Sequence, residues 1–439
     1  MGEDRRRCSG SEDRISGLPD ELLHAILVRL YSTRAAARSS VLSRRWRHVW
    51  AHLPELFLGG SRDAPPPLAS LPDAVDAALA AYSATAAPLE RLHITLRRGD
   101  GGHPVQASRA ASWLRFASRH VVGELRLFVP APGVDGEEEE VLELPACHRA
   151  KSVRLTIHDS WRLRPQPAGL FAALTSLRID YGRMEASELT DLVCKRCPQL
   201  RDLNLSVDLV DVSDVSVLSG SLQSLLFFVL NIRRLEVVAP RLEELLVYHA
   251  SEAHITSPKL AELVWNGEDY DPRLHKFDDV GRHLRLLEIG QISGAASLMR
   301  QFDEVDKLKL QISIPWETAG YGSLLNETNQ LPKCRTLAHS CPLSCPCRLA
   351  ESGRVDGIAL SFLEEVKLHN FASSSDELEF VEELSRCNAA VLKKLVINYA
   401  YGPATPLTMA ICEKVRSMWR PNVSVEFYVF LDGRLVRFD

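Results

Sequence analysis

Apolar residues recur along most of this chain in the phrase L-x-x-L-x-L, and near the N-terminal end the pattern turns helical. The phrase occurs at Leu89-Leu92-Ile94, Val122-Leu125-Leu127, Leu174-Leu177-Ile179, Leu200-Leu203-Leu205 and Leu222-Leu225-Phe227. It returns at Ile232-Leu235-Val237, Leu242-Leu245-Val247, Leu260-Leu263-Trp265, Leu284-Leu287-Ile289, Val305-Leu308-Leu310, Leu363-Val366-Leu368 and Leu392-Leu395-Ile397. The last two apolar positions of each copy are two residues apart, so a short strand points both inward and its remaining side chains outward. Most copies lie about 18 to 33 residues apart and two near residue 235 follow at about ten, a spacing that predicts a stacked solenoid. Helices or turns fill the gaps: Leu189, Leu192 and Val193 stand at helical spacing, and that helix must stop before Pro198.

Residues 15–50 carry a different signal. Pro19 suits a helix start, and Asp20 and Glu21 place negative charge at the positive end of its dipole, so a first helix is expected over residues 19–30. Leu22, Leu23, Ile26, Leu27 and Leu30 form its apolar stripe, widened by Ala25 and Val28. Thr33 is expected to cap a second helix over 34–38, and Ser39 or Ser40 a third that carries Leu42, Trp46, Val49 and Trp50. About forty residues are too few to bury that much apolar surface, which points to a partner protein.

Leu-Pro-Asp-Glu-Leu-Leu, then Ile-Leu, then Ser-Val-Leu-Ser-Arg-Arg-Trp-Arg resembles the F-box. The resemblance implies docking onto a Skp1-type adaptor of a cullin-RING ubiquitin ligase, with Leu18, Pro19, Leu22, Ile26, Leu27, Val41, Leu42 and Trp46 at the matching motif positions. Further along, ELPACHRAKSVRLTI and VVAPRLEELLVY resemble the repeats of plant F-box/LRR proteins. The segment FLEEVKLHNFASSSDELEFVEELSRCNAAVLKKLVI resembles the FBD-type C-terminal region.

An α/β chain in five parts is expected: an all-α F-box-like module over 12–56, a linker and helix over 57–87, and an irregular leucine-rich-repeat solenoid over 88–310. A cysteine-containing insertion over 311–358 and an FBD-like region over 359–439, which completes the repeat domain, follow. Gly, Pro and Ala dominate residues 59–72, and a helix is expected over 73–82.

Composition narrows the function. Hydrophobic content of 46% and charged content of 25% over 439 residues are those of a soluble globular protein, and a net charge of −5 gives no global pull toward nucleic acid. No apolar run is long enough for a transmembrane span, and the start has no apolar core for a signal peptide, so an intracellular protein is expected, with neither membrane nor nucleic acid as partner. Ten cysteines should then be reduced thiols. Cys334, Cys341, Cys345 and Cys347 offer thiolates on paper, but their spacing of six, three and one intervening residues is not a paired C-x-x-C, and Pro342 and Pro346 restrict the loop; no metal or other cofactor is expected. Cys194 and Cys197 form a C-x-x-C at the end of a repeat helix, read as packing. Phosphate-loop, dinucleotide, H-E-x-x-H and G-x-S-x-G signatures are all missing, so no enzyme is expected.

The outward strand positions run from basic to acidic. Arg126, Arg154 and Arg178, with Arg91 and His93, lead the series; Glu236, Glu244, Glu262 and Glu288 follow, and Lys307 and Lys309 reverse the sign. This face is the candidate surface for a target protein, with complementary charge choosing the partner. The expected function is therefore substrate recognition in a Skp1-cullin-F-box ligase, the alternative being a repeat scaffold that works without ubiquitination.

Overall fold

The computed structural model describes residues 18–41, 49–59, 70–83, 88–96, 105–129, 139–167, 169–266, 270–290, 295–310, 334–340, 363–371, 391–399, 407–431 and 434–438, with a few positions between 378 and 385. The chain divides into two units, Met1–Leu200 and Arg201–Asp439, a division that falls inside the expected 88–310 domain.

The first unit opens with helices α1 (Asp20–Val28) and α2 (Thr33–Arg38), then single-turn segments at Ser39–Val41 and Trp50–His52. Ser32, not Thr33, caps α2: its Oγ accepts the N–H of Ala35 at 3.2 Å. Thr33 instead accepts the N–H of Phe57 at 2.8 Å, which ties the helix pair to strand β1 (Glu55–Gly59). After α3 (Leu71–Ser83) come β2 (Leu89–Thr95), α4 (Ala107–His120) and β3 (Val121–Phe128). Then follow β4 (Val141–Leu144), β5 (Ser152–Thr156), β6 (Arg162–Pro165), β7 (Ser176–Met184) and α5 (Ala186–Asp191). Strands β1, β2, β3, β5 and β7 pair in parallel in that order, and β4 and β6 start a second, shorter ladder. Helix α4 borrows its cap from afar, since its Ala107 N–H donates to Glu140 Oε2 at 2.6 Å.

The second unit begins with two long strands, β8 (Asp202–Leu218) and β9 (Ser224–Val238), followed by β10 (Glu244–Val247), β11 (Glu252–Thr256), β12 (Glu262–Trp265), β13 (His275–Asp278) and β14 (Leu286–Ile289). Next come α6 (Ala295–Gln301), β15 (Lys307–Leu310), β16 (Thr336–Ser340), β17 (Glu365–Phe371), β18 (Lys394–Tyr399), α7 (Met409–Met418), β19 (Ser424–Leu431) and β20 (Arg434–Phe438).

The first half of β9 pairs with β10, which leads on through β12, β14, β15, β16, β17 and β18 to β19, all parallel. The second half of β9 pairs with β11 and through it with β13. Asn231 takes φ of 59° between the two halves, a left-handed conformation that Asn tolerates, and its Nδ2 donates to Leu209 O at 3.0 Å. Each coil here thus carries two strands, which explains the ten-residue spacing near residue 235: Leu222-Leu225-Phe227 serves the main ladder and Ile232-Leu235-Val237 the second.

The phrases are the core. Leu92, Leu177, Leu225, Leu245, Leu263, Leu287 and Leu395 are all fully buried. One copy lies inside the stretch expected as an insertion. Cys334 and Leu337 are buried at the first and second positions of that copy, and β16 continues the ladder in register with β15 and β17. A cysteine at the first position and His339 at the third hid the repeat. No helix among the described residues is long and apolar enough to cross a membrane.

Candidate functional site

Three surfaces emerge from this framework. The first lies on the N-terminal helices. The carbonyl of Pro19, the N-cap of α1, accepts the N–H groups of Leu22 and Leu23 at 3.1 Å each. Leu23 and Leu27 turn inward and are buried, and His24 Nε2 meets Val49 O at 3.0 Å. The next row round the helix faces out: Leu22 is 52% exposed and Ile26 44%, with Leu30 at 48%, Tyr31 at 68% and Val41 at 86%. Of the motif positions, Leu18 is partly covered, Pro19, Leu22, Ile26 and Val41 are exposed, and Leu27 belongs to the interior; Leu42 and Trp46 lie outside the described residues.

The second surface is the outward face of β3, β5 and β7. Register places Glu124, Ser152 and Ser176 in one rank, Arg126, Arg154 and Arg178 in the next, and Phe128, Thr156 and Asp180 in the third. Arg126 continues the line of His93 and Phe57. Glu124 lies 3.2 Å from Arg126, 3.7 Å from Arg154 and 3.3 Å from His93, while Asp180 accepts from Arg178 Nε at 2.7 Å. Burial pushes the Glu124 carboxyl up, but His93, Arg126 and Arg154 together outweigh it and hold it below the usual range. Burial lowers His93, with the neighbouring arginines adding to the effect against Glu124.

The third surface is the outward face of β9, β10 and β12. Glu244 stands beside Glu262, and the adjacent rank holds Leu226, Leu246 and Val264 and ends in Glu288. Phe228 and Tyr248 form an edge-on ring pair beyond them, 5.4 Å between centroids. Glu262 accepts from Arg285 Nε at 2.8 Å, and Glu288 from Lys309 at 3.0 Å. Lys307 begins the basic stretch that follows, its ammonium lowered by burial and then by Lys309 and Lys367. Glu236 stands apart: it sits on the second ladder opposite His254 and accepts from Ser216 Oγ at 3.0 Å. The phrase alone could not separate Glu236 from Glu244, Glu262 and Glu288. Nor did it expose the apolar rank, whose only signal is an extra apolar residue between the second and third positions of the phrase.

Cys147, Cys197, Cys334 and Cys412 are buried, and Cys194 is half-buried. Burial pushes the Cys334 thiol up to about 11, and it donates to Thr336 O at 3.6 Å; Cys341, Cys345 and Cys347 lie outside the described residues. Burial likewise pushes Cys197 up to about 12, away from the thiolate that redox or metal chemistry needs. No group of three or more metal-ligating side chains assembles among the described residues.

Comparison with known proteins places the repeat region. Residues 110–291 match the family described as FBD-associated F-box protein At5g56370, LRR repeats. F-box/LRR-repeat protein 25 of Arabidopsis thaliana is 29% identical over 264 residues, covering 58% of this chain and 92% of that protein. The putative F-box/LRR-repeat protein At5g02930 of the same plant is 26% identical over 321 residues, covering 69% of this chain and 61% of the relative. F-box protein At5g03100, also from Arabidopsis thaliana, is 41% identical over 78 residues, 18% of this chain and 23% of its own length. Over residues 110–291 and in its match to these relatives, this chain is similar to F-box/LRR-repeat proteins of Arabidopsis thaliana, and its buried L-x-x-L-x-L phrases form parallel strands.

Proposed function

We propose that this chain is the substrate-recognition subunit of a Skp1-cullin-F-box ubiquitin ligase, working inside the cell. In this reading α1 and the turn after α2 dock on a Skp1-type adaptor through Leu22, Ile26 and Val41, with Leu18 and Pro19 at the rim and Leu27 supporting them from within. Leu42 and Trp46 complete the set on the strength of the motif. The ladder faces that carry Arg126, Arg154, Arg178, Glu244, Glu262 and Glu288 hold a target protein. The chain performs no bond chemistry of its own; it raises the rate of ubiquitin transfer by holding the target near the charged enzyme.

One observation carries the reading: Leu22, Ile26 and Val41 are all more than two-fifths exposed on a module with its own buried row. Single exposed leucines are ordinary, but a cluster on one small module marks an interaction site. The test is capture of a purified Skp1-type adaptor by the full chain and by Leu22→Asp with Ile26→Asp. The wild-type chain should retain the adaptor and the variant should lose it with unfolding unchanged. Equal capture by both excludes this face. Target turnover that persists under cullin inhibition leaves a repeat scaffold without ubiquitination.

A further inference from the structure

The arginine rank on β3, β5 and β7 is short of counter-charge. Like charges directly opposite on neighbouring strands are unfavourable, and here three guanidiniums stand in line. Two carboxylates of the same face serve them. Asp180 is committed to Arg178, and Glu124 is divided between Arg126, Arg154 and His93. Arg154, in the middle, is 3.7 Å from Glu124, beyond hydrogen-bond distance, and Arg126 Nε is buried with no hydrogen-bond partner among the described residues. Side-chain exposures of 42%, 46% and 48% leave all three arginines open to a ligand.

We propose that this rank binds an acidic peptide segment of a partner protein, through aspartate or glutamate carboxylates spread along an extended chain. The inference rests on the reading of the ladder face as the target surface and is independent of adaptor docking. Its geometry is linear. Strands stand about 4.8 Å apart, so the outer arginines are separated by about 10 Å, and carboxylates two residues apart on an extended peptide span about 7 Å. Such a line distributes donors and does not gather them round one centre as a lone phosphate would need. The guanidinium fork matches a carboxylate in two parallel hydrogen bonds. Ser152 and Ser176, opposite each other in the rank beside Arg154 and Arg178, add hydroxyl donors where a carboxylate would have closed the site.

The test uses the full chain and a short fluorescein-labelled peptide of alternating glutamate and glycine, followed by anisotropy. Binding is expected, weakening as salt rises. It should fall about tenfold in Arg154→Gln, further when Arg178→Gln is added, and less in Arg154→Lys, which keeps the charge but loses the fork. A lysine–glycine peptide should not bind, and thermal unfolding of the variants should match wild type. The proposal is overturned if the glutamate peptide fails to bind, if the double variant binds it equally, or if only a phosphoserine peptide or single-stranded RNA occupies these arginines. Adaptor capture by the same preparations separates the two readings: its failure with peptide binding intact removes the ligase assignment and leaves this site standing.

Discussion

The N-terminal helices and the repeat ladder draw on the same aliphatic side chains and treat them oppositely. In the ladder, Leu225, Leu245 and Leu263 are completely enclosed, because each coil lies between two others that cover its apolar edge. On α1, Leu23 and Leu27 are enclosed in the same way, yet Leu22 and Ile26 stay open at 52% and 44%. A solenoid completes its own core by repetition, whereas the helix pair has one inner side to offer and two apolar rows to place. Burial of one such side chain contributes roughly 1.5–3 kcal/mol. Covering the exposed row would therefore contribute up to a few kcal/mol.

The largest effect that tests this contrast is on stability. Leu27→Ala and Leu245→Ala should each cost about 2–5 kcal/mol in denaturant unfolding, against about 0.5 kcal/mol or less for Leu22→Ala and Ile26→Ala. A Leu22→Ala cost equal to that of Leu27→Ala would erase the distinction between the two rows. Next in size is the joint between the regions. Thr33→Val leaves the Phe57 N–H without its acceptor and should destabilise by about 1–3 kcal/mol.

A smaller effect is electrostatic and confined to acid. Glu124 is held below the usual carboxylate range in the folded chain, so its contribution is complete above the unfolded value and disappears as pH falls through the folded one. The stability difference between wild type and Glu124→Gln should shrink on acidification, and a difference that grows would contradict the shared arrangement with Arg126 and Arg154. Smallest is a labelling difference. Cys147, Cys197 and Cys334, pushed up to about 12, 12 and 11 by burial, should resist alkylation at mild pH in the folded chain and react on unfolding, as mass spectrometry of labelled peptides can show.

Much of the ladder could be read from its phrases, since burying two apolar positions per strand is a local demand with a period of two. From Leu89-Leu92-Ile94 through Leu392-Leu395-Ile397, the phrase positions whose side chains are described are buried, except Val122, which is half-buried. Departures came where the decision was tertiary. The bend near Asn231, which sends Glu236 to a second ladder, depends on neighbouring coils and not on the phrase. At Cys334 the repeat persisted with a thiol in a leucine's place. The cap fell to Ser32 and not Thr33 because the Thr33 hydroxyl was claimed by β1. Leu226, Leu246 and Val264 make a rank only once register aligns three strands, just as Arg126, Arg154 and Arg178 do.

Hydrogen exchange on the full chain, with and without a purified Skp1-type adaptor, tests the central claim most directly. Amides of Asp20–Val28 and the turn through Tyr31 should become strongly protected when the adaptor is added, with the strands from β8 to β19 unchanged. Exchange in α1 that is indifferent to the adaptor, or protection confined to the ladder, would contradict the assignment of these helices as the docking element.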